Sequence, residues 1–118
     1  MESSDAIAVF SALSQPTRLA VFRLLMLHEP AGLPAGRIAE QLDVPQNTLS
    51  THLAILSRAG LIAAERDGRS IGYRAELGRV RDITRFLVQD CCGGRPALCE
   101  TLMAELAPCC SPQSIAHG

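Results

Sequence analysis

The stretch Asp43–Gly60, DVPQNTLSTHLAILSRAG, decides how the rest of the chain is read. Val44 and Pro45 end whatever precedes them, because the residue before a proline is pushed out of the α region, and Pro45 suits the start of a new helix. Leu49, Leu53 and Leu56, joined by Ile55, recur at intervals of three and four and make one apolar stripe. The other face carries Gln46, Asn47, Ser50, Thr51 and His52, short or planar hydrogen-bonding groups almost without charge. Such a face is unusual for a solvated helix and suits one that meets base edges and phosphates. Gly60 supplies the stop. The stretch reads as the second helix of a helix-turn-helix.

Upstream, Ser4 to Leu13 is expected to form a helix whose Ala6, Ile7, Phe10 and Leu13 pack into the core. Pro16 can open a second helix that runs through Leu27, where Leu19, Phe22, Arg23 and Met26 leave apolar residues over most of the circumference. Burial of that helix is expected. The segment His28 to Gly36 holds two prolines and two glycines and reads as a loop, and Arg37 to Leu42 as a third helix with Ile38, Ala39 and Leu42 inward.

Downstream the period changes. Residues 61–66 and 70–75 read as two extended segments around Asp67-Gly68, a hairpin signal, and a hairpin after a helix-turn-helix is a wing. From Gly78 the helical period returns through Val80, Ile83, Phe86, Leu87 and Asp90, and stops at Cys91-Cys92-Gly93-Gly94. A last helix is expected from Pro96 to Leu106, with Leu98, Leu102, Met103 and Leu106 on one side. The expected fold is mainly α with a small β-hairpin, a dimeric winged helix-turn-helix. Its single domain spans residues 1–106, with dimerisation helices at both ends, and a Cys-containing mobile tail covers residues 107–118.

The totals agree with one core: 118 residues, 47% apolar, yet only 3% aromatic, so Leu, Ile, Val and Ala must fill it. No apolar run approaches a membrane span, and MESSDAIAV has no basic segment followed by a long apolar one, so a soluble cytoplasmic protein with no membrane partner is expected. The net charge of −1 argues against a generic polyanion binder. Distribution matters more: between Val44 and Arg74, Arg58, Arg66, Arg69 and Arg74 stand against Glu65 and Asp67. All eleven basic residues are arginine, which suits bidentate phosphate and guanine contacts but equally follows from a GC-rich genome. Five cysteines, an odd number, do not suggest a disulfide framework and are candidates for metal or redox chemistry.

Three sets of residues together resemble the ArsR/SmtB family of metal-responsive winged-helix repressors. They are Leu13-Ser14-Gln15-Pro16-Thr17-Arg18-Leu19; Gln46-Asn47-Thr48-Leu49-Ser50-Thr51-His52-Leu53 with Leu56 and Ala59-Gly60-Leu61-Ile62; and Arg66-Asp67-Gly68-Arg69 with Tyr73. The resemblance covers about residues 5 to 90. It implies a homodimer, and not an enzyme, that binds an imperfect inverted repeat in double-stranded operator DNA and leaves it when each subunit takes up its inducer. Geometry gives the same expectation, because a two-fold dimer sets two recognition helices about 34–36 Å apart, one turn of the duplex. The first and last helices are the expected interface, since their apolar positions exceed what a small winged core can cover. On the DNA side the candidates are Gln46, Asn47, Thr48, Ser50, Thr51 and His52, with Arg66 and Arg69 from the wing reaching phosphates or the minor groove. Helix capping is the competing role for Asn47 and Thr48.

What the resemblance implies for the inducer site moves attention late in the chain. About Leu33 to Ile38 there is no cysteine, where the family's familiar arsenic site would fall, and Arg79 to Asp90 contains no histidine for its transition-metal site. Cys91, Cys92 and Cys99 resemble the C-terminal cysteine site of an arsenite-responsive branch. The chemistry is coherent by itself: soft thiolates select thiophilic ions, and trivalent arsenic or antimony takes three sulfurs where zinc would want four ligands. The Gly93-Gly94 pair lets the chain bend, and an extended reach of roughly 23–25 Å between Cys92 and Cys99 permits closure within one subunit. As(III) is the expected inducer, with Sb(III) able to take its place and no organic cofactor. The competing role for Cys91 and Cys92 is that of small core residues at a helix end. Cys109 and Cys110 are either an accessory dithiol or tail cysteines without a role. Other readings are a redox or polysulfide sensor using Cys91 with Cys99, a sensor of methylated arsenic needing two thiolates, and a plain protein-interaction wing domain. A thiol enzyme such as an arsenate reductase would need a phosphate-cradling loop, which no part of the chain provides.

Overall fold

The computed structural model describes residues 1–88 and residue 104. The chain divides into two units, residues 1–83 and residues 84–118, and the first carries the elements that position the candidate DNA-contact residues. Helix α1 spans Ser3–Leu13 and opens on a capping box, in which the Asp5 carboxylate accepts from the Glu2 backbone N–H at 3.1 Å. Helix α2, Pro16–Leu27, starts with proline at its first turn, and the Gln15 side-chain oxygen caps it by accepting from the Arg18 N–H at 2.8 Å.

The predicted loop 28–36 contains a short strand, β1, at Leu33–Pro34. Two residues, one of them a proline, give no periodicity to read, and proline is tolerated there because the strand lies at a sheet edge. Gly32, at φ +73, precedes it, and a Cβ at that position would collide with the Tyr73 carbonyl oxygen. Helix α3, Ala35–Leu42, begins two residues before the expected Arg37. Its stop also differs from expectation: Asp43 takes the left-handed conformation at φ 54, and the Val44 N–H returns to the Ala39 carbonyl at 3.0 Å. Val44-Pro45 follows that stop rather than making it.

Helix α4, Gln46–Arg58, ends as its sequence predicts. Gly60, at φ +79, lets its own N–H reach Ser57 O and the Leu61 N–H reach Leu56 O, both at 3.0 Å, so two otherwise orphaned carbonyls are satisfied. Leu56 and Leu61 are both buried, which supplies the apolar contact of this cap. Strands β2, Ile62–Asp67, and β3, Ser70–Ala75, pair antiparallel from Ile62↔Ala75 to Asp67↔Ser70, and β1 adds to the far side of β3 in the order β1-β3-β2. The register makes Gly68-Arg69 the two central turn residues, one position later than the expected Asp67-Gly68. Gly68 has φ +64, and a type II′ turn puts glycine at that first central position. Helix α5 spans Leu77–Val88. The expected last helix, residues 96–106, falls outside the described residues except for residue 104.

The core holds Val9, Val21, Leu25, Ile38, Leu49, Leu53, Leu56, Leu61 and Ile62, with Phe22 its one aromatic member. Burial of α1 and α2 differs from expectation. In α1 the inward stripe is Ala6, Val9 and Ala12, while Ile7 is 66% and Phe10 45% exposed. In α2 Val21, Phe22 and Leu25 are buried but Leu19, Met26 and Leu27 are exposed. Two apolar stripes run along α1, and the interior takes the one with smaller side chains because α1 packs close on α2. Among the described residues, no helix is long and apolar enough to cross a membrane.

Candidate nucleic-acid interface

The buried leucines at positions 49, 53 and 56 fix the rotation of α4 about its axis, and that rotation decides what faces out. Gln46, Asn47, Thr48, Ser50 and Thr51 are all exposed. Asn47, Ser50 and Thr51 stand at i, i+3 and i+4, and the same face continues through Ala54, Ser57 and Arg58, which are also exposed. Two of the polar groups have local partners. The Asn47 side-chain oxygen accepts from the Thr48 N–H at 2.9 Å, so Asn47 does serve an unpaired N–H of the first turn, and the Ser50 hydroxyl donates to Gln46 O at 3.0 Å.

His52 stands apart from these. It is partly buried, and its Nδ1 lies 3.4 Å from Nη1 of Arg18. The same guanidinium donates through Nε to Ala12 O at 2.7 Å and through Nη2 to Ser11 O at 3.4 Å, so it occupies the negative end of α1. A second arginine holds the C-terminal end of α4: Arg79 Nε of α5 donates to Ala59 O at 3.0 Å. It lies so close over Gly60 that a Cβ there would stand 2.7 Å from Nε. Neither arginine was singled out from the sequence as a site residue, because each acts on a group far away in the chain.

Arg66 and Arg69 are exposed at the outer end of the wing, Arg66 opposite Ile71 and Arg69 in the turn itself. Arg74 has another task. Its guanidinium binds Glu65 at 2.7 Å and Glu29 at 3.3 Å, and those two hydrogen bonds, Glu65 first, raise its already high pKa further. Its charge is therefore spent inside the protein, and the local cationic excess expected for residues 44–74 is carried by Arg58, Arg66 and Arg69. Arg37, exposed in the first turn of α3, is a basic group that the count over residues 44–74 passed by. A basic residue at the start of the first helix of a helix-turn-helix is the signal for it, since that helix crosses the DNA backbone.

Cys91, Cys92, Cys99, Cys109 and Cys110 lie outside the described residues. Among the described residues, no cluster of three or more His, Cys, Asp or Glu side chains could hold a metal ion.

A family model described as a helix-turn-helix domain matches residues 13–64, from the end of α1 to the start of the wing. An uncharacterized HTH-type transcriptional regulator of Methanocaldococcus jannaschii is 34% identical over 82 residues, covering 70% of this chain and 90% of the relative. The transcriptional repressor SdpR of Bacillus subtilis is 32% identical over 80 residues, with 68% and 86% covered. Among solved structures, an ArsR-like transcriptional regulator from a Rhodococcus species superposes with a TM-score of 0.67 at 26% identity, covering 92% of this chain and 95% of that one. A homodimeric winged helix-turn-helix DNA-binding domain from Mycobacterium bovis, described as a possible ArsR-family regulator, gives 0.61 at 26% identity, with 72% and 77% covered.

Proposed function

The chain belongs to the ArsR/SmtB family of winged helix-turn-helix transcriptional regulators, and on that premise we propose that it is an arsenite-responsive repressor. Like its relatives it is a DNA-binding regulator and not an enzyme. In this reading a homodimer holds operator DNA through α4 and the wing, and lets go when cysteine thiolates take up trivalent arsenic or antimony. The observation that carries the DNA half is the outer face of α4: Gln46, Asn47, Thr48, Ser50 and Thr51, exposed together on its first two turns. The early residues of a recognition helix are those that reach base edges in the major groove. Wing residues Arg66 and Arg69 supply charge for phosphates. The homodimer is supported by Ile7 and Phe10, large apolar side chains turned away from the core of their own chain.

The inducer half rests on the chemistry of Cys91, Cys92 and Cys99, three thiols within nine positions. They would hold one pyramidal As(III) or Sb(III), and the bound ion would supply a cross-link joining residues 91 and 92 to residue 99. The ion acts on DNA affinity only through a difference in its own affinity for the two dimer geometries, and a coupling of about 1–3 kcal/mol changes operator binding roughly 5–150-fold.

A DNA-release assay tests this reading, with arsenite, antimonite, methylarsenite, cadmium, zinc, peroxide and polysulfide applied to the reduced protein. Arsenite and antimonite are expected to release DNA, and Cys91→Ser, Cys92→Ser or Cys99→Ser to abolish release, while Cys109→Ser with Cys110→Ser leaves it in place. Release by peroxide or polysulfide alone would replace the metalloid with a redox signal. A full response in Cys99→Ser would shift the ligand to methylated arsenic.

A further inference from the structure

Arg18 touches no predicted DNA contact except one, the ring of His52, from which it is separated by 34 positions in the chain. We propose that Arg18 is a positioning residue for DNA reading, which holds the His52 imidazole in the Nε2–H tautomer and turns that N–H outward as a donor to an acceptor on DNA. The proposal rests on the assignment of α4 as the DNA-reading helix.

A guanidinium has five N–H donors and no acceptor, so at the 3.4 Å contact His52 Nδ1 can only accept. A neutral imidazole carries one proton, and with Nδ1 accepting, that proton sits on Nε2, across the ring from Arg18. The guanidinium is itself not free to turn. Nε and Nη2 share one edge of the planar group, and that edge is tied to Ala12 O and Ser11 O at the end of α1, which leaves Nη1 for His52. One plane thus sets the direction of three bonds. His52 is also the only partly buried member of the polar set on α4; Asn47 and Ser50 are exposed and bond only to backbone groups of their own helix. It is therefore the member that a side chain from another helix fixes before DNA arrives, and a pre-oriented donor loses less freedom on binding.

Lysine at position 18 keeps the charge and can still donate to the Ala12 carbonyl, but its three donors share one nitrogen and lack the planar fork whose separate nitrogens reach Ala12 O, Ser11 O and His52 together. Operator affinity is measured with the full chain and a duplex that the wild-type protein enriches from a random-sequence pool. We expect His52→Ala to weaken binding about tenfold and Arg18→Lys about fivefold, with the double variant no weaker than His52→Ala alone, because Arg18 acts through the ring. Multiplying losses in the double variant, or wild-type affinity in His52→Ala, overturns the proposal. Failure of the wild-type protein to enrich any duplex instead removes the DNA-reading assignment beneath it. A second measurement is independent of whether Arg18→Lys folds: ring ¹⁵N signals of the wild-type chain at mildly alkaline pH should show His52 protonated on Nε2 with Nδ1 as acceptor, and a proton on Nδ1 overturns the proposal.

Discussion

Helices α1 and α4 are of similar length, eleven and thirteen residues, yet they distribute their side chains in opposite ways. Helix α4 buries its large residues, Leu49, Leu53 and Leu56, and turns short uncharged polar groups outward. Helix α1 buries Ala6, Val9 and Ala12 and leaves Ile7 and Phe10 in solvent. Each outer face has a surface chemistry that suits a different partner. A face of amides and hydroxyls keeps its hydrogen bonds in water and exchanges them for base edges and phosphates. A face of Ile and Phe has nothing to exchange and gains only by removal from water, which a second copy of the same helix would provide in the proposed homodimer.

The harshest way to break this contrast is to put a charge on the apolar face. Phe10→Asp should leave the monomer folded, since Phe10 lies outside its core. Phe10 is 45% exposed, so dimerisation can gain only about half of the 1.5–3 kcal/mol that full burial of such a side chain is worth. Two-fold symmetry counts it twice, and each buried carboxylate adds its desolvation cost, so dimerisation should weaken by about 3 kcal/mol or more. Sedimentation at micromolar concentration would show a monomer, and operator binding would fall with it. A Phe10→Asp chain that still sediments as a dimer would locate the interface elsewhere.

The polar face is tested by the opposite change. Thr51→Ala and Gln46→Ala remove exposed groups, so the thermal midpoint and the dimer mass should stay where they are. Operator affinity should fall by about 1–3 kcal/mol for a side chain that reads a base edge, with relaxed selectivity at that base pair. Loss of stability without loss of sequence preference would mean that the face is structural. The expected effect is smaller than for Phe10→Asp because each substitution removes one contact from a dimer that remains assembled.

These two faces were not equally legible in the sequence. In α4 the large residues form a single stripe that ends in a glycine, so periodicity identified the inside, the outside and the stop together. In α1 two apolar stripes lie side by side, and periodicity cannot say which one a monomer buries; the heavier was expected inward and the lighter one is. The reason is steric, because Ala6, Val9 and Ala12 allow close helix packing that Ile7 and Phe10 would not. Strand β1 was illegible because two residues have no period, and the stop at Asp43 because a non-glycine residue there gives little sign of a left-handed conformation. The candidate interface residues on α4 and the wing can be read from the sequence as residue types at positions, and the structure places them at the surface. What holds them cannot be read there: Arg18 reaches His52 and Arg74 reaches Glu29 across the fold, and no local pattern records such a pairing.

The smallest effect separates α4 from the wing by the kind of contact each makes. The outer face of α4 carries no charge before Arg58, so Thr51→Ala and Gln46→Ala should lower affinity without changing how it depends on salt. Arg69 in the wing turn is exposed, and no internal ion pair of the described residues involves it. If it meets a phosphate, Arg69→Ala should cost only about 0.5–1 kcal/mol per wing at physiological salt. Its signature lies in the slope of log K against log salt, which should become shallower by about 1 per wing, or about 2 per dimer. Arg74→Gln serves as the contrast: its guanidinium already neutralises Glu65 and Glu29, so its loss should disturb the sheet and leave that slope almost unchanged. A slope that responds to Arg74 and not to Arg69 would mean that the free charge on this hairpin lies at the base of the wing, and that the turn does not reach the duplex.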